Sequence, residues 1–182
     1  MRLTRRARLL GVLVLLVLVG LAYLRDRSGD GAGDDIGDSS VVRVVDGDTI
    51  VVRLGTVDER IRLIGIDTPE TVDPRTPVEC FGKEASDHLA GLLPPGTPVR
   101  LERDVEARDR FDRLLAYVYR VDDGTFVNLA LAEDGYADVA TFPPNVAHVD
   151  EFVAAVARAR GEGRGLWSAC GGPDEPSLPL PP

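Results

Sequence analysis

The sequence predicts an α+β fold, in which three helices pack on a small closed barrel of five β-strands. Two observations lead to this prediction. Five short segments are rich in valine, isoleucine and leucine and are separated by turn-forming residues, as β-strands are. Three other segments have apolar residues at helical spacing or lie between residues that favour the start and the end of a helix. With 182 residues, of which 44% are hydrophobic, the chain can bury the core of one ordinary domain.

The five predicted strands are segments rich in β-branched residues. Asp-Gly and Gly-Thr turns separate the first three strands, and a charged loop over residues 104–113 separates the last two. One helix is inserted after the third strand and the others follow the fifth, which favours a five-stranded OB-type barrel. The predicted strands are Val41–Val45, Thr49–Leu54, Glu59–Ile66, Val99–Arg103 and Leu114–Val121.

The three predicted helices are indicated by different signals. The first, Glu79–Leu93, has an apolar stripe with a repeat of three to four residues. In the second, which is short, Asn128 is expected to cap the N-terminus, and Gly135 is a favourable residue just after the C-terminus. The third follows two prolines, and its predicted apolar face consists of Val149, Phe152, Val153 and Val156.

Both ends of the chain differ in composition from the middle. Residues 1–24 place arginines before an apolar run, the arrangement of an export signal or of an uncleaved N-terminal membrane anchor. Residues 25–40 are predicted to be a flexible acidic linker, and the Pro-rich residues 171–182 are predicted to be disordered. The folded domain is therefore expected over residues 41–170, either extracellular or anchored to the outer face of the cell membrane.

The charge and the cysteines restrict the possible functions. A net charge of −9 argues against broad, non-specific binding of nucleic acid, so a polyanionic substrate would need a local basic patch or a metal ion. The two cysteines, Cys80 and Cys170, do not make a zinc site. Whether they form a disulfide or remain thiols depends on the compartment in which the protein folds.

Two acidic turns lie at the ends of predicted strands, Asp46–Thr49 and Asp67–Glu70. Hard cations such as Ca²⁺ and Mg²⁺ take carboxylate and carbonyl oxygens, so Asp48 and Asp67 are candidate metal ligands. The alternative is ordinary turn chemistry, because Asp-Gly and Asp-Thr-Pro sequences form turns without an ion.

Three further residues are candidates for catalysis. Pro69 stiffens the chain before Glu70, which suits a carboxylate held as a general base, although an exposed turn residue is the simpler interpretation. Arg62 lies in an otherwise apolar strand, where an arginine must be paired or functional. Together, Arg62 and Arg113 would stabilise the charge that develops on a phosphodiester, and the alternative for each is a surface ion pair.

Five motifs, in this order and at these separations, resemble the staphylococcal nuclease family. They are VDGDT, RLIGIDTPET, FGKEAS, DRFDRLLAYVY and GLW, and the resemblance covers about residues 41–168. The resemblance implies a Ca²⁺-dependent phosphodiesterase on an OB-fold barrel with three helices. It also implies that DNA and RNA are cleaved at the 5′ P–O bond, which leaves 3′-phosphate ends.

The same resemblance implies roles for individual residues. Asp48 and Asp67 resemble the calcium carboxylates, and Thr68 resembles the ligand that offers its backbone carbonyl. Glu70 matches the glutamate that orients or deprotonates the attacking water. The residues expected to contact the substrate are Arg62 and Arg113, on the scissile phosphate, together with Arg110 and Phe111.

The sequence departs from the family pattern beside the expected substrate site. Phe111-Asp112 replaces the usual Tyr-Gly, and Asp112 is placed to pair with Arg113 and draw it away from the phosphate. Thr141 and Phe142 stand where the family has stacking tyrosines, which would weaken base stacking.

The resemblance also bears on the cysteines and on two competing functions. An exported domain favours a disulfide between Cys80 and Cys170. We also expect the protein to be a monomer. One competing function is a barrel that binds nucleic acid or protein without turnover, and the other is a domain that uses Ca²⁺ only for stability. Asp112 and the missing tyrosines favour the binding module, whereas the complete set of expected site residues argues for a nuclease.

Overall fold

The computed structural model describes residues 39–71 and 79–173. The export or anchor segment, all but the last two residues of the predicted linker, and most of the Pro-rich tail lie outside these ranges and stay predictions. Among the described residues, no helix has the length and hydrophobicity needed to span a membrane.

The described part of the chain contains seven strands and four helices, which confirms the predicted α+β class. The strands are β1 (Ser39–Asp46), β2 (Thr49–Leu54), β3 (Val57–Leu63), β4 (Gly65–Asp67), β5 (Val99–Glu102), β6 (Leu114–Arg120) and β7 (Asp138–Ala140). The helices are α1 (Gly82–Leu92), α2 (Val127–Glu133), α3 (Val149–Gly161) and α4 (Leu166–Ala169). The short helix α4, which has only four residues, has no counterpart in the sequence prediction.

Five strands form one curled sheet in the order β1-β2-β3-β6-β5. Neighbouring strands are antiparallel except for β3 and β6, which are parallel. The sheet curls until β1 meets the chain just before β5, where the N–H of Val41 donates to the carbonyl of Thr97 at 2.9 Å and the N–H of Gly96 donates to the carbonyl of Val41 at 2.7 Å. This curled sheet with its packed helices is consistent with the predicted OB fold.

The third predicted strand, Glu59–Ile66, is divided into β3 and β4. The division occurs at Ile64 and Gly65, and Gly65 has a φ of +85°, which a residue with a Cβ rarely adopts. A Cβ on Gly65 would also lie 2.2 Å from the ring of Phe152 in α3. The chain therefore leaves the barrel at this glycine, and β4 pairs with β7 in a separate two-stranded sheet.

The predicted start of α2 is wrong. Phe126 occupies the N-cap position, and Asn128 is fully buried inside the first turn. The side chain of Asn128 accepts a hydrogen bond from the N–H of Val118 at 2.9 Å and donates to the carbonyls of Ile64 at 2.9 Å and Ala116 at 3.3 Å. Asn128 therefore joins helix α2 to strand β6 and to the break between β3 and β4.

Two smaller corrections concern the other helices. Helix α1 begins at Gly82, three residues later than predicted, because Phe81 has a left-handed backbone conformation. On α3, Val149 is half-buried and Val153 is exposed, so the predicted apolar face is only partly correct. The buried residues of α3 are Phe152, Ala155, Val156 and Ala159.

Cys80 and Cys170 form a disulfide with a Cα–Cα distance of 6.0 Å, which is ordinary for such a bond. The disulfide joins the chain just before α1 to the C-terminal end of α4, across 90 residues of sequence. In the chain-entropy account, closing a loop of this size in the unfolded state stabilises the fold by roughly 4 to 5 kcal/mol.

We predict that Asn128→Ala lowers the free energy of unfolding by roughly 3 kcal/mol, because it leaves the buried N–H of Val118 and the carbonyl of Ile64 without their partner. Urea unfolding followed by circular dichroism measures the change. Val153→Ala, at an exposed position of α3, is the control and should change stability by less than about 0.5 kcal/mol. Equal effects of the two substitutions would contradict this account of Asn128.

His148, at the N-cap of α3, lies between two carboxylates. Its Nε2 is 3.3 Å from Glu102 and its Nδ1 is 2.9 Å from Glu151. Burial disfavours the charged imidazolium, but the hydrogen bonds and charges of the two glutamates outweigh burial and raise the pKa of His148 above its ordinary value of 6.5. Protonated His148 therefore stabilises the folded state, and this contribution disappears as the pH rises through the raised pKa.

We predict that His148→Gln destabilises the protein more at pH 6 than at pH 9, because only the lower pH retains the charged imidazolium that glutamine lacks. The difference in unfolding free energy between the parent and the variant should be measured by urea unfolding at several pH values. A difference that is constant across this range would show that the two glutamates do not bind the charged form preferentially.

Candidate active site

The curled sheet brings the two acidic turns to one place. Thr49 at the start of β2 pairs with Arg62 in β3, and the carbonyl of Asp48 accepts a hydrogen bond from the N–H of Leu63 at 2.9 Å. The break at Gly65 then directs β4 back across this turn. The N–H of Thr68 lies 3.4 Å from Oδ2 of Asp48.

The guanidinium of Arg62 lies between the two turns. Its Nη2 contacts Oδ2 of Asp48 at 2.9 Å and Oδ1 of Asp67 at 2.6 Å. Its Nη1 donates to the carbonyls of Leu63 and Ile66, and only 14% of the side chain is exposed. The structure therefore brings together Arg62, Asp48 and Asp67, as the sequence predicts.

The carboxylates in this region are held in an environment that disfavours negative charge. Burial raises the pKa of Asp48, Arg62 acts against this shift, and Asp67 adds to it. Burial, together with the charge of Asp48, raises the pKa of Asp46 to about 6. A positive ion would stabilise the ionised form of both groups.

The residues present fit a hard cation such as Ca²⁺. Asp48 and Asp67 lie close enough to contact the same nitrogen of Arg62, and Ca²⁺ accepts carboxylates, backbone carbonyls and waters as mixed ligands. Among residues 39–71 and 79–173, no group of three or more His, Cys, Asp or Glu side chains is arranged to hold a metal ion. The site thus provides two carboxylates, and any further oxygen ligands would come from the backbone, water or substrate.

Two glycines allow the second turn to lie close to its neighbours. A Cβ on Gly47 would lie 2.5 Å from Oγ1 of Thr68. A Cβ on Gly82, at the start of α1, would lie 2.6 Å from Cγ2 of Thr71 and 3.1 Å from the carbonyl oxygen of Glu70. The turn that contains Asp67 and Glu70 is therefore packed between the β1–β2 turn and the first turn of α1.

Glu70 is half-buried and its backbone is bound by Glu79. The N–H of Glu70 donates to Oε2 of Glu79 at 2.8 Å, and the N–H of Glu79 donates to the carbonyl of Glu70 at 3.0 Å. Oε1 of Glu70 accepts a hydrogen bond from the N–H of Thr71 at 2.8 Å. Sequence reasoning missed Glu79, because nothing in the local pattern links it to a turn nine residues earlier.

Arg113 approaches the same region from the start of β6. Its Nη1 lies 3.4 Å from the hydroxyl of Thr49, which in turn donates to Oδ1 of Asp48 at 3.0 Å. Its Nε donates to Oδ2 of Asp109 at 2.7 Å. Although burial of Asp109 opposes the effect, hydrogen bonds from the backbone and side chain of Arg113 lower the pKa of Asp109.

The expected pairing of Asp112 with Arg113 is wrong. The side chain of Asp112 is 88% exposed, and its nearest cation is Arg108, at 3.6 Å. Asp109 occupies the pairing position instead, four residues before Arg113. Its spacing was visible in the sequence, but the backbone conformation was needed to choose between the two aspartates.

A pocket of about 560 Å³ opens beside these residues. Its charged lining includes Arg62, Arg110 and Arg113, and its rim has two exposed aromatic rings, Phe111 (64% exposed) and Phe142 (73% exposed). The guanidinium carbon of Arg110 lies 4.6 Å from the centre of the Phe111 ring, a cation–π geometry. The structure therefore places the two predicted substrate residues, Arg110 and Phe111, in the pocket that Arg62 and Arg113 also line.

Known proteins match most of the chain. The family described as staphylococcal nuclease homologues matches residues 60–169. A thermonuclease of Staphylococcus intermedius is 43% identical over 141 residues, which cover 74% of this chain and 82% of the relative. A thermonuclease of Staphylococcus hyicus is 41% identical over 128 residues, or 70% of this chain and 74% of the relative. Endonuclease YhcR of Bacillus subtilis is 37% identical over 151 residues, which cover 78% of this chain but only 12% of that larger protein.

We predict that Gly82→Ala and Gly91→Ala, both in α1, change stability in opposite directions. Alanine at position 91 meets no atom within 4 Å, so it should stabilise the helix by about 0.5 to 1 kcal/mol. Alanine at position 82 would collide with Thr71 and with backbone oxygens of the acidic turn, so it should lower the melting temperature. Thermal unfolding of the two variants measures both changes, and stabilisation by both would show that the turn does not need this close contact.

Proposed function

Since the chain belongs to the staphylococcal nuclease family and is a nuclease, we propose that it is an exported, Ca²⁺-dependent enzyme that hydrolyses DNA or RNA to 3′-phosphate ends. The observation that supports this most directly is the position of Arg62 between Asp48 and Asp67, with Arg113 linked to the same turn through Thr49. Arg62, Arg113 and Asp67 line the pocket, and Asp48 contacts Arg62 beside it. This is the arrangement that a phosphodiester, with its negative charge, requires.

Asp48, Asp67 and the backbone carbonyl of Thr68 are the proposed ligands of Ca²⁺. When bound, Ca²⁺ supplies positive charge that polarises the phosphate and offsets the negative charge developing on it. The raised pKa values of Asp46 and Asp48 support this assignment, because burial, and after it the charge of neighbouring carboxylates, disfavours their ionised forms, which a cation would stabilise.

Glu70 is the proposed partner of the attacking water. Its carboxylate would accept a hydrogen bond from a water molecule and direct the water oxygen at phosphorus. The water oxygen would form the new bond to phosphorus and give up one proton, the bond from phosphorus to the 5′-oxygen would break, and the 5′-oxygen would take up one proton, so that the overall reaction is hydrolysis. The phosphate then remains on the 3′-oxygen.

Arg62 and Arg113 are the proposed stabilisers of the transition state. Both guanidiniums are already oriented by carboxylates, Arg62 by Asp48 and Asp67 and Arg113 by Asp109. Preorganised donors of this kind act on developing charge without reorganising during the reaction. Because Asp112 lies beside Arg108, it does not draw Arg113 away from the phosphate, so Asp112 does not favour a binding module without turnover.

The pocket chemistry fits a nucleic-acid strand with accessible bases. Arg110 is exposed and is positioned to attract phosphate, and Phe111 and Phe142 present exposed ring faces on which bases can stack. Neither phenylalanine has a hydroxyl, so we expect contact by stacking without hydrogen-bond recognition of particular bases.

The proposed export rests on the N-terminal sequence and is supported by the disulfide. Arginines precede the apolar run within residues 1–24, which is typical of segments that direct a chain across a membrane. Disulfides such as Cys80–Cys170 persist mainly in oxidising compartments outside the cytosol. If the segment is not cleaved, it would anchor the enzyme to the membrane.

We predict that cleavage of single-stranded DNA requires Ca²⁺ and is abolished by a chelator, and that Arg62→Ala or Arg113→Ala lowers kcat by about 10²- to 10³-fold, because each removes a cation from the transition state. Rates of product formation, with end-group analysis of the products, measure both points.

Arg53→Ala is the matched control, since Arg53 pairs with Asp58 on the surface and does not line the pocket. It should leave kcat unchanged. Activity that persists in chelator and in both arginine variants would refute the proposed mechanism, and 5′-phosphate products would refute the proposed bond cleavage.

A further inference from the structure

We propose that Glu79 is a positioning residue that holds Glu70 in its working orientation, and that the Cys80–Cys170 disulfide keeps Glu79 in place. This inference rests on the proposed role of Glu70 in directing the attacking water. It assigns a part in the reaction to a residue that does not line the pocket and to a covalent bond just before α1.

The contacts between Glu79 and Glu70 involve both polar groups of the Glu70 backbone. Oε2 of Glu79 accepts from the N–H of Glu70 at 2.8 Å, and the N–H of Glu79 donates to the carbonyl of Glu70 at 3.0 Å. One residue therefore satisfies the N–H and the carbonyl of another, which restricts rotation on both sides of the Glu70 Cα. This restriction fixes the direction of the Cα–Cβ bond from which the Glu70 carboxylate extends.

The surrounding packing makes the position of Glu70 sensitive to these bonds. Gly82 contacts the Glu70 carbonyl and Thr71 so closely that no Cβ fits between them. If Glu79 no longer accepts from the Glu70 N–H, a hydrogen bond that holds this half-buried turn is lost, and the turn can shift. A shift of about 1 Å in a catalytic group can lower the rate by about 10²-fold.

The disulfide restrains Glu79 because Cys80 is the next residue. Its partner, Cys170, follows α4, where Leu166 and Trp167 are buried in the core and the N–H of Leu166 donates to the carbonyl of Gly135 at 2.9 Å. The bond therefore ties the backbone beside Glu79 to a part of the domain that is itself firmly packed.

The backbone of Phe81 shows why such a restraint is needed. Its φ of +71° lies in the left-handed region, which costs roughly 1 to 2 kcal/mol for a residue other than glycine. The Phe81 ring packs on Tyr136 at 5.2 Å between ring centres, and the disulfide holds the preceding residue. Without these two contacts, the segment from Glu79 to Gly82 would relax toward an ordinary conformation and withdraw Glu79 from Glu70.

The experiment compares Glu79→Ala, Glu79→Gln, Glu70→Ala and the double variant Glu70→Ala/Glu79→Ala on a single-stranded oligonucleotide with Ca²⁺. We expect Glu79→Ala to lower kcat by about 10- to 100-fold, with KM changed less than about twofold. Glu79→Gln should recover most of the activity, because its amide oxygen can accept the same hydrogen bond. The double variant should be no slower than Glu70→Ala, since Glu79 acts only through Glu70.

Each outcome has a distinct meaning. If Glu79→Ala leaves kcat unchanged, or if it lowers kcat equally with and without Glu70, Glu79 is not a positioning residue for Glu70. If Glu70→Ala has no effect on kcat, the proposed catalytic role of Glu70 fails instead. Thermal unfolding of every variant, followed by circular dichroism, shows that the rates are compared on folded protein.

The part played by the disulfide is tested with Cys80→Ser/Cys170→Ser, assayed at a temperature at which its far-ultraviolet spectrum matches that of the parent. We expect a loss of kcat similar to that of Glu79→Ala, and little further loss when Glu79→Ala is added. Full kcat in the folded serine variant would overturn the role of the disulfide, whereas independent, multiplicative losses would show that it does not act through Glu79.

Discussion

The guanidinium of Arg62 contacts three parts of the chain: the β1–β2 turn, the end of β4 and the break between β3 and β4. Its Nη2 contacts Asp48 in the β1–β2 turn and Asp67 at the end of β4, while its Nη1 binds carbonyls at the break between β3 and β4. Asp48 is buried, which disfavours its ionised form, and without the counter-charge of Arg62 that form would be disfavoured still more. The ion pair between Arg62 and Asp48 stabilises the buried carboxylate and also positions a cation at the site. The site is therefore assembled before any substrate binds.

Local sequence patterns predict most of the secondary structure of the described residues. Where the prediction fails, the cause is a contact with a residue far away in the sequence. The strands and helices were located because apolar spacing and turn residues act within a few positions of one another. The break at Gly65 depends on the ring of Phe152, which belongs to a helix far along the chain. Asn128 looked like a helix cap, but the partners of its side chain lie in β6 and at that same break. No local pattern contains these contacts.

The candidate site was predictable to a similar degree. Asp48, Asp67 and Arg62 were identified from turn and strand positions, and the barrel brings them together. The carboxylate that pairs with Arg113 could not be predicted, because both Asp109 and Asp112 precede Arg113 closely in sequence. Asp112 has a φ of +63°, and its side chain is exposed to solvent, whereas Asp109 bonds to both the backbone and the side chain of Arg113. Only the backbone conformation distinguishes the two.

The disulfide also makes residues 80–170 a covalent ring. Two exposed segments lie inside this ring, the loop over residues 104–113 and the turn over residues 121–124. Exposed loops and turns are the usual sites of proteolytic cleavage. A single cut in either place opens the ring but releases no fragment, because the two pieces stay bonded through Cys80 and Cys170. The fold can therefore be nicked once and still keep all of its strands and helices attached.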